Sequence, residues 1–291
     1  METPSEGSIG FAATPLSPAD LEEICSIIYE RSGMVFGEAK RYYIERRITD
    51  LILQRRALTA RHYIAILRSD VAEAELLINS FTINETYFFR EAHQLACLSN
   101  SILPAIIRSK GPGDRIRIWS MPCSSGEEPY SIAIWLLENW RLVDAYNIEI
   151  VGSDIDTSIL RKAVDGYYGE RSVSKLPADV LERYFEQGEN QNRRLIADLR
   201  DSVTFLNGNI VDRQSLTALG RFDVIFCRNL LIYFDEAGRQ TAARNIHDML
   251  YPGGYICLGH TESMSRISEA FEPVRFPDAI VYREAGRPMN G

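Results

Sequence analysis

The stretch Arg115-Ile116-Arg117-Ile118-Trp119-Ser120, running on into Met121-Pro122-Cys123-Ser124-Ser125-Gly126-Glu127-Glu128-Pro129-Tyr130, decides the fold. Its first six residues alternate as a β-strand does. The loop that follows leads into Ser131–Trp140, where apolar residues recur at helical spacing. The same grammar repeats downstream. Asn147–Gly152 reads as a second strand, Thr157–Val164 as a helix, Ser202–Leu206 and Phe222–Cys227 as further strands, and Gln240–Leu250 as a helix. Pro252-Gly253-Gly254 reads as a turn into the strand Tyr255–Leu258. Strands alternating with helices predict an α/β domain with a mainly parallel sheet. Phe271–Arg275 and Ala279–Tyr282 flank a Pro277-Asp278 turn and predict an antiparallel hairpin that closes the sheet.

Upstream the pattern is helical. Ser17 can cap a helix, Pro18 suits its first position, and Asp20 sits in the acid-favoured first turn. Leu21, Ile24, Ile27 and Ile28 follow at helical spacing and Gly33 is a natural stop. Lys40–Leu53 carries Tyr43, Ile44, Ile48, Leu51 and Ile52 on one face, and Tyr63–Leu67 and Glu73–Phe81 give two shorter patterns. The expected organisation is a flexible leader over 1–16, an all-helical domain over 17–80, and a linker with a hinge helix over 81–110. An α/β domain over 111–284 follows, with an inserted subdomain at about 166–201 and a flexible tail at 285–291. The insertion is polar and holds one helical piece, Pro177–Phe185.

Composition narrows the function. The length of 291 residues suits about two domains. A net charge of −8 argues against a general nucleic-acid binder, which carries a basic excess. No apolar run approaches the roughly 18 residues of a membrane span, so no membrane insertion is expected. The opening METPSEGSIG has two glutamates and no basic residue, unlike a secretory signal. The five cysteines form an odd set without a C-x-x-C pair, which fits reduced cytosolic thiols better than disulfides or a zinc site. His62, His93, His247 and His260 are scattered, so surface or packed roles are expected and no metal site. No G-x-S-x-G or Cys/His signature of nucleophilic catalysis is present.

Ligands of parallel α/β sheets sit beyond the carboxyl ends of the strands. One such end is the loop Met121–Tyr130, and another is Gly152-Ser153-Asp154-Ile155-Asp156. An acid at the end of the second strand is placed to grip ribose hydroxyls. The G-x-G-x-x-G phosphate cradle is missing: Gly126 is the only glycine of its loop, and Glu127 and Glu128 would repel a pyrophosphate. A nucleoside without phosphates and with positive charge fits, and S-adenosylmethionine meets both conditions. Simple stabilisation of a helix start by Glu127 and Glu128 fits the spacing equally well. Two more segments carry candidate chemistry. Phe81–Glu91 sets Asn84, Thr86 and Arg90 beside three consecutive aromatics, though an interdomain hinge whose aromatics fill core is the plainer reading. Phe226–Phe234 follows a strand end, where Arg228, Asn229 and Tyr233 could face the crevice, or simply cap it.

Together these segments resemble the CheR family, the chemotaxis receptor methyltransferases that esterify protein glutamates, from about residue 17 to 284. The family's N-x-T-x-F-F-R stands as Asn84–Arg90, its nucleotide loop as Cys123–Ser131, its S-D-I-D as Ser153–Asp156, and its F-C-R-N-x-x-I-Y-F as Phe226–Phe234. Met121 and Pro122 depart from the small residues usual before Cys123. The resemblance implies a Rossmann-like S-adenosylmethionine-dependent methyltransferase domain with a small inserted β-subdomain, releasing S-adenosylhomocysteine. It places Asn84, Thr86 and Arg90 at the methionine end, Glu128 near the ligand ammonium, and Asp154 on the ribose. Asn209 and Ile210 match the adenine side, and Arg228 and Asn229 complete the pocket. Arg90 and Tyr233 are the pair nearest the sulfonium and are the expected catalytic residues. A glutamate with a free pKa near 4.3 is already ionised at pH 7, so the transfer needs no base.

Residues 40–61 hold seven basic residues against Glu45 and Asp50, a local +5 in an acidic chain. Such a run is ordinarily a solvated face. The resemblance implies instead a docking surface, Lys40, Arg41, Arg46, Arg47, Arg55 and Arg56, for glutamate-rich helices in the cytoplasmic domain of chemotaxis receptors. Some family members grip a receptor-tail pentapeptide with the inserted subdomain through a loop lengthened with extra glycine. Here Gly188–Leu195 is short with one glycine, so independence from that tether is expected. Cytoplasmic residence in a bacterium follows from the resemblance. Two other functions compete: a non-catalytic S-adenosylmethionine or S-adenosylhomocysteine module that regulates a partner, and a small-molecule carboxyl methyltransferase. Intact Arg90, Asp154 and Tyr233 speak against the first, and the basic helical domain against the second.

Overall fold

The computed structural model describes residues 16–188 and 191–285. The expected leader, apart from its last residue, and the tail beyond 285 lie outside the described residues, as do Glu189 and Asn190 of the short insertion loop. The chain packs as two units, Met1–Phe81 and Thr82–Gly291.

The first unit is helical: α1 (Pro18–Ser32), α2 (Arg41–Gln54), α3 (Ala60–Ser69) and α4 (Val71–Phe81). Ser17 caps α1 by accepting from the Asp20 N–H, and Gly33 ends it with φ 72°. Thr59 caps α3 in the same way through the His62 N–H. Ile24, Ile28, Ile48, Tyr63, Leu67 and Leu77 are fully buried, each large side chain contributing about 1.5–3 kcal/mol. The stripe of α2 is narrower than its sequence suggests. Ile44, Ile48 and Ile52 are buried, whereas Tyr43 is exposed and bonds Arg47 through its hydroxyl.

In the second unit, α5 (Ala92–Cys97) continues through a π-helical turn at Leu98–Ile102 into α6 (Leu103–Ile106). Leu95, Leu98, Ile102 and Leu103 join the core beside the sheet. The chain then runs β1 (Arg115–Ser120), α7 (Glu127–Asn139), β2 (Asn147–Asp154), α8 (Thr157–Asp165), β3 (Tyr167–Tyr168), α9 (Glu170–Val173), α10 (Ala178–Tyr184), β4 (Phe185–Gln187), β5 (Arg193–Leu195), α11 (Ala197–Asp201), β6 (Val203–Asn207), α12 (Arg213–Leu216), β7 (Phe222–Cys227), α13 (Glu236–Met249), β8 (Leu250–Leu258), β9 (Phe271–Arg275) and β10 (Ile280–Glu284). The main sheet has the order β6-β2-β1-β7-β8-β10-β9. Its first five strands are parallel and β10 pairs antiparallel with both β8 and β9, a Rossmann-like mixed sheet. The insertion forms a separate antiparallel sheet, β3-β5-β4.

Among the boundaries that differ from the sequence expectation, three have a clear local reason. The helix expected from Ser131 starts at Glu127, because Gly126 turns the chain with φ 91° and Pro129 sits in the first turn, where its missing N–H costs nothing. The helix expected from Gln240 starts at Glu236, where Asp235 accepts from the Gly238 N–H at 2.7 Å. Pro252-Gly253-Gly254 is part of β8 rather than a turn before it. Gly253 at φ 78° and a register shift opposite Phe222 and Val224 mark an irregularity that lets the strand continue. No described helix is long and apolar enough to cross a membrane.

Candidate active site

Strand order reverses at β1: β2 and β6 lie on one side, β7 and β8 on the other. That is where the carboxyl ends of an open parallel sheet leave a crevice. A cleft of about 160 Å³ opens there. Cys123 and Ser124 line it after β1, Glu128 from α7, and Arg228, Asn229 and Tyr233 after β7. Thr86, Tyr87 and Arg90 close it from the segment before α5.

That segment is anchored at both ends. Thr82 Oγ1 and Asn84 Nδ2 donate to Asp156 Oδ2 at 2.7 and 3.1 Å. The Phe88 N–H donates to Ser172 O and the Phe89 N–H to Ser131 Oγ. Phe88 is fully buried, edge-on to Tyr168 and Phe185, so this aromatic does fill core. Phe89 and Glu91 take φ 57° and 55°, which doubles the backbone back. Arg90 comes out beside the Tyr87 ring, its Nη1 donating to the Glu85 carbonyl at 2.8 Å. Phe88 thus fills core while Arg90 reaches the cleft wall.

Arg228 is the hub. Its side chain is 4% exposed, with Nη1 on Glu128 Oε2 at 2.6 Å and Nη2 on Glu91 Oε2 at 3.2 Å. Nη2 also donates to the Arg90 carbonyl at 3.0 Å. The other oxygen of Glu128 accepts from Ser120 Oγ at 2.8 Å. Burial alone would raise the Glu91 carboxyl, but Arg228 and His260 outweigh it and hold the carboxyl below its ordinary range. Glu128 thus reaches the cleft already neutralised by its own chain, a partner that sequence spacing does not reveal. Glu127 turns away: it is 2% exposed and accepts from Ser125 Oγ and Ser172 Oγ, while burial raises its pKa. Glu128 is the one carboxylate of the α7 start on the cleft wall, and no glycine lines the cleft as a phosphate cradle would require, so the lining fits a phosphate-free nucleoside such as S-adenosylmethionine.

Asp154 ends β2 at 3% exposure, accepting from the Ser124 N–H at 2.9 Å and the Asp156 N–H at 3.0 Å. Burial pushes its carboxyl up to about 6 against those two bonds. It therefore ties the first loop to the second strand. Asn84 meets that loop through Ser124 Oγ, at 3.4 Å from its Oδ1. Asn209 and Ile210 follow β6. Asn209 Oδ1 accepts from the Val211 N–H, and Ile210 is 1% exposed with its carbonyl held by Asn245. The structure thus gathers Thr86, Arg90, Glu128, Arg228, Asn229 and Tyr233 around one cleft. Asn84, Asp154, Asn209 and Ile210 lie outside its wall.

Sequence reasoning missed Glu262. Its Oε2 accepts from the Asn229 and Gly259 N–H groups at 2.7 and 2.9 Å, and its Oε1 from the Leu231 N–H at 2.8 Å. It holds Asn229 at φ 58°, a backbone state that costs a non-glycine residue free energy. The signal was available: Glu262 is an acid just beyond the carboxyl end of β8. Gln94 was missed too; its Nε2 bridges Glu91 Oε2 and the Leu258 carbonyl, both at 2.8 Å.

The basic residues of the first unit divide into two kinds. Lys40, Arg46 and Arg56 are exposed and make no ion pair among the described residues. Arg41 pairs with Glu45, Arg47 lies over the Tyr43 ring, and Arg55 bridges Asp70 and the buried Glu73. Arg55 therefore pins α2 to α4 as well as carrying surface charge.

Comparison with known proteins gives the family. A family model described as the CheR methyltransferase SAM binding domain matches residues 84–280, and one described as the CheR methyltransferase all-alpha domain matches 19–82. The chain is 46% identical over 256 residues to Chemotaxis protein methyltransferase 2 of Vibrio cholerae, covering 87% of this chain and 88% of that one. It is 34% identical over 261 residues to the Chemotaxis protein methyltransferase of Escherichia coli, with 88% of each covered. Chemotaxis protein methyltransferase 1 of Pseudomonas aeruginosa is 31% identical over 271 residues, covering 91% of this chain and 97% of that one. With an all-α unit, an S-adenosylmethionine-binding unit and these relatives along most of its length, the chain belongs to the CheR methyltransferase family.

Proposed function

We propose that the chain methylates glutamate side-chain carboxylates of chemotaxis receptors in the bacterial cytoplasm, forming glutamate methyl esters. The observation that carries this reading is Arg90: a guanidinium on the cleft wall beside Tyr233, with no carboxylate partner among the described residues. It is the natural seat for an anionic substrate group. The relatives named chemotaxis protein methyltransferases support the same substrate class.

When bound, S-adenosylmethionine supplies an electrophilic methyl group. The chain's own residues position the attacking oxygen. Arg90 holds the substrate carboxylate by charge. Tyr233 keeps its proton, because burial raises its pKa more than nearby Arg90 lowers it, so its hydroxyl can donate a hydrogen bond. Arg228 fixes the Arg90 backbone. Leu95, Pro122 and Ile232 supply an apolar wall that limits water where opposite charges cancel. A carboxylate needs no base, and no histidine lines the cleft. Alignment then supplies much of the rate.

Lys40, Arg46 and Arg56 form the core of the docking charge for acidic receptor helices, with Arg41, Arg47 and Arg55 adding to the field. The β4–β5 connection supports independence from a tail pentapeptide: Gln187 pairs with Arg193 and the Gly188 N–H donates to Asn192 O at 2.8 Å. The test is incubation with methyl-labelled S-adenosylmethionine and a receptor cytoplasmic fragment. Base-labile label on glutamate is expected. Absence of label, or label that survives base, overturns the reading.

A further inference from the structure

A second cavity, about 330 Å³, lies beside the cleft, and Ile232 borders both. Its other walls are the start of α13, with Glu236 and Arg239, and the loop after β8, with Glu262 and Arg266. Nothing in the methyl-transfer geometry uses it. Its charges are unequal in availability. Glu262 spends both oxygens on backbone N–H groups facing the cleft loop. Arg239 commits Nε to the Leu231 carbonyl at 3.0 Å, which fixes the guanidinium on the wall and leaves its other donors without a protein acceptor among the described residues. Arg266 is exposed and makes no ion pair or side-chain hydrogen bond among them. Glu236 sits in the first turn of α13, where an acid is favoured by the helix itself.

We propose that this cavity is a second substrate subsite, which takes an acidic side chain about one helical turn away from the methylated glutamate. It rests on the receptor-glutamate reading above. Ile232 lines both openings, and side chains three or four apart on a helix stand about 5–6 Å from one another. A helical substrate that lowers one carboxylate to Arg90 therefore brings a neighbour on the same face over the Ile232 ridge. Arg266, on the same cavity wall as Arg239, gives that neighbour a bidentate partner. Arg266 is then a specificity-determining residue: it selects which glutamate of an acidic helix is placed for transfer.

The experiment is a charge-swap cycle. A receptor cytoplasmic fragment with one mapped acceptor glutamate is made with Glu or Lys at the positions three and four residues to either side. Each version is assayed for kcat/KM with the wild-type chain and with Arg266→Glu. The wild-type chain is expected to prefer Glu over Lys about threefold to fivefold at one of these positions, the range of a partly exposed ion pair. Arg266→Glu is expected to reverse that preference at the same position. Arg266→Ala is expected to abolish it, a control against misfolding, since a folding defect lowers all rates without changing their ratio. An identical Glu-to-Lys ratio for wild-type and Arg266→Glu chains at every position overturns the subsite while leaving receptor methylation standing. Failure of the wild-type chain to form any methyl ester overturns the functional reading instead, and the subsite with it.

Discussion

Replacing Arg228 by Met tests the hub of the site. The substitution keeps apolar volume and removes a charge whose side chain is 4% exposed. It strands Glu128 and Glu91, which are 12% and 14% exposed, and releases the Arg90 carbonyl. Breaking a buried ion pair from one side costs about 3–5 kcal/mol. The lower end applies here, because Ser120 Oγ still donates to Glu128 and Gln94 Nε2 still donates to Glu91, each at 2.8 Å. A loss of about 3 kcal/mol corresponds to a fall in Tm of about 6–12 °C for a unit of this size. Urea unfolding gives the free energy and calorimetry the Tm. The second substitution is the sharper one. Glu128→Gln added to Arg228→Met removes a stranded charge and leaves an oxygen for Ser120, so the double variant is expected to regain about 1–2 kcal/mol. Arg228→Met within 1 kcal/mol of the wild-type chain, or no recovery in the double variant, refutes the idea that the two carboxylates are held by Arg228 in a desolvated site.

Glu262→Gln keeps one acceptor oxygen but sets an amide NH₂ against a backbone N–H; kcat is expected to fall about ten- to hundredfold, as for a small misplacement of the Asn229–Tyr233 turn, and steady-state methylation reads it. Asp154, pushed up to about 6 by burial, binds its proton more tightly folded than unfolded. Its contribution is therefore fully present below the unfolded pKa near 3.9 and is lost as pH rises through about 6, by about 3 kcal/mol. Urea unfolding across pH 4–7 is expected to show that loss flattened in Asp154→Asn; parallel curves for the two proteins refute it. Reversing Lys40, Arg46 and Arg56 together to Glu is expected to raise KM for the receptor and to remove most of its salt dependence, with calorimetric S-adenosylmethionine affinity intact.

How much of this was readable depends on how local the cause is. The strand Arg115–Ser120 and the helix Pro18–Ser32 announce themselves because alternation, a capping serine and a terminal glycine act within a few residues. The cleft segments were readable as motifs, yet their partners were not. Arg228 meets Glu128 across 100 residues and the Arg90 carbonyl across 138. Glu262 holds the Asn229 N–H across 33. No periodicity encodes such pairings. The three inserted strands were hidden for another reason: at two or three residues each they are too short to show alternation. Arg55 looked like surface charge because its buried partner Glu73 stands on a different helix.

The inserted sheet carries a consequence for engineering. Its base props the loop and the segment that carry the cleft residues: Tyr168 Oη donates to the Ser125 carbonyl, Ser172 Oγ to Glu127, and the Ser172 carbonyl receives the Phe88 N–H. Its outer hairpin, β4 and β5, carries none of these bonds. The insertion is therefore two parts with different freedom. A chimera that exchanges only the turn between Gln187 and Arg193, leaving the buried Phe185 and Leu195 in place, changes a surface while keeping the loop supports, whereas one that cuts at Gly166 and Ser202 removes the props under Ser125 and Glu127. Recognition modules can be grafted at the tip of this insertion; its root has to stay native for the loop beneath it to keep its shape.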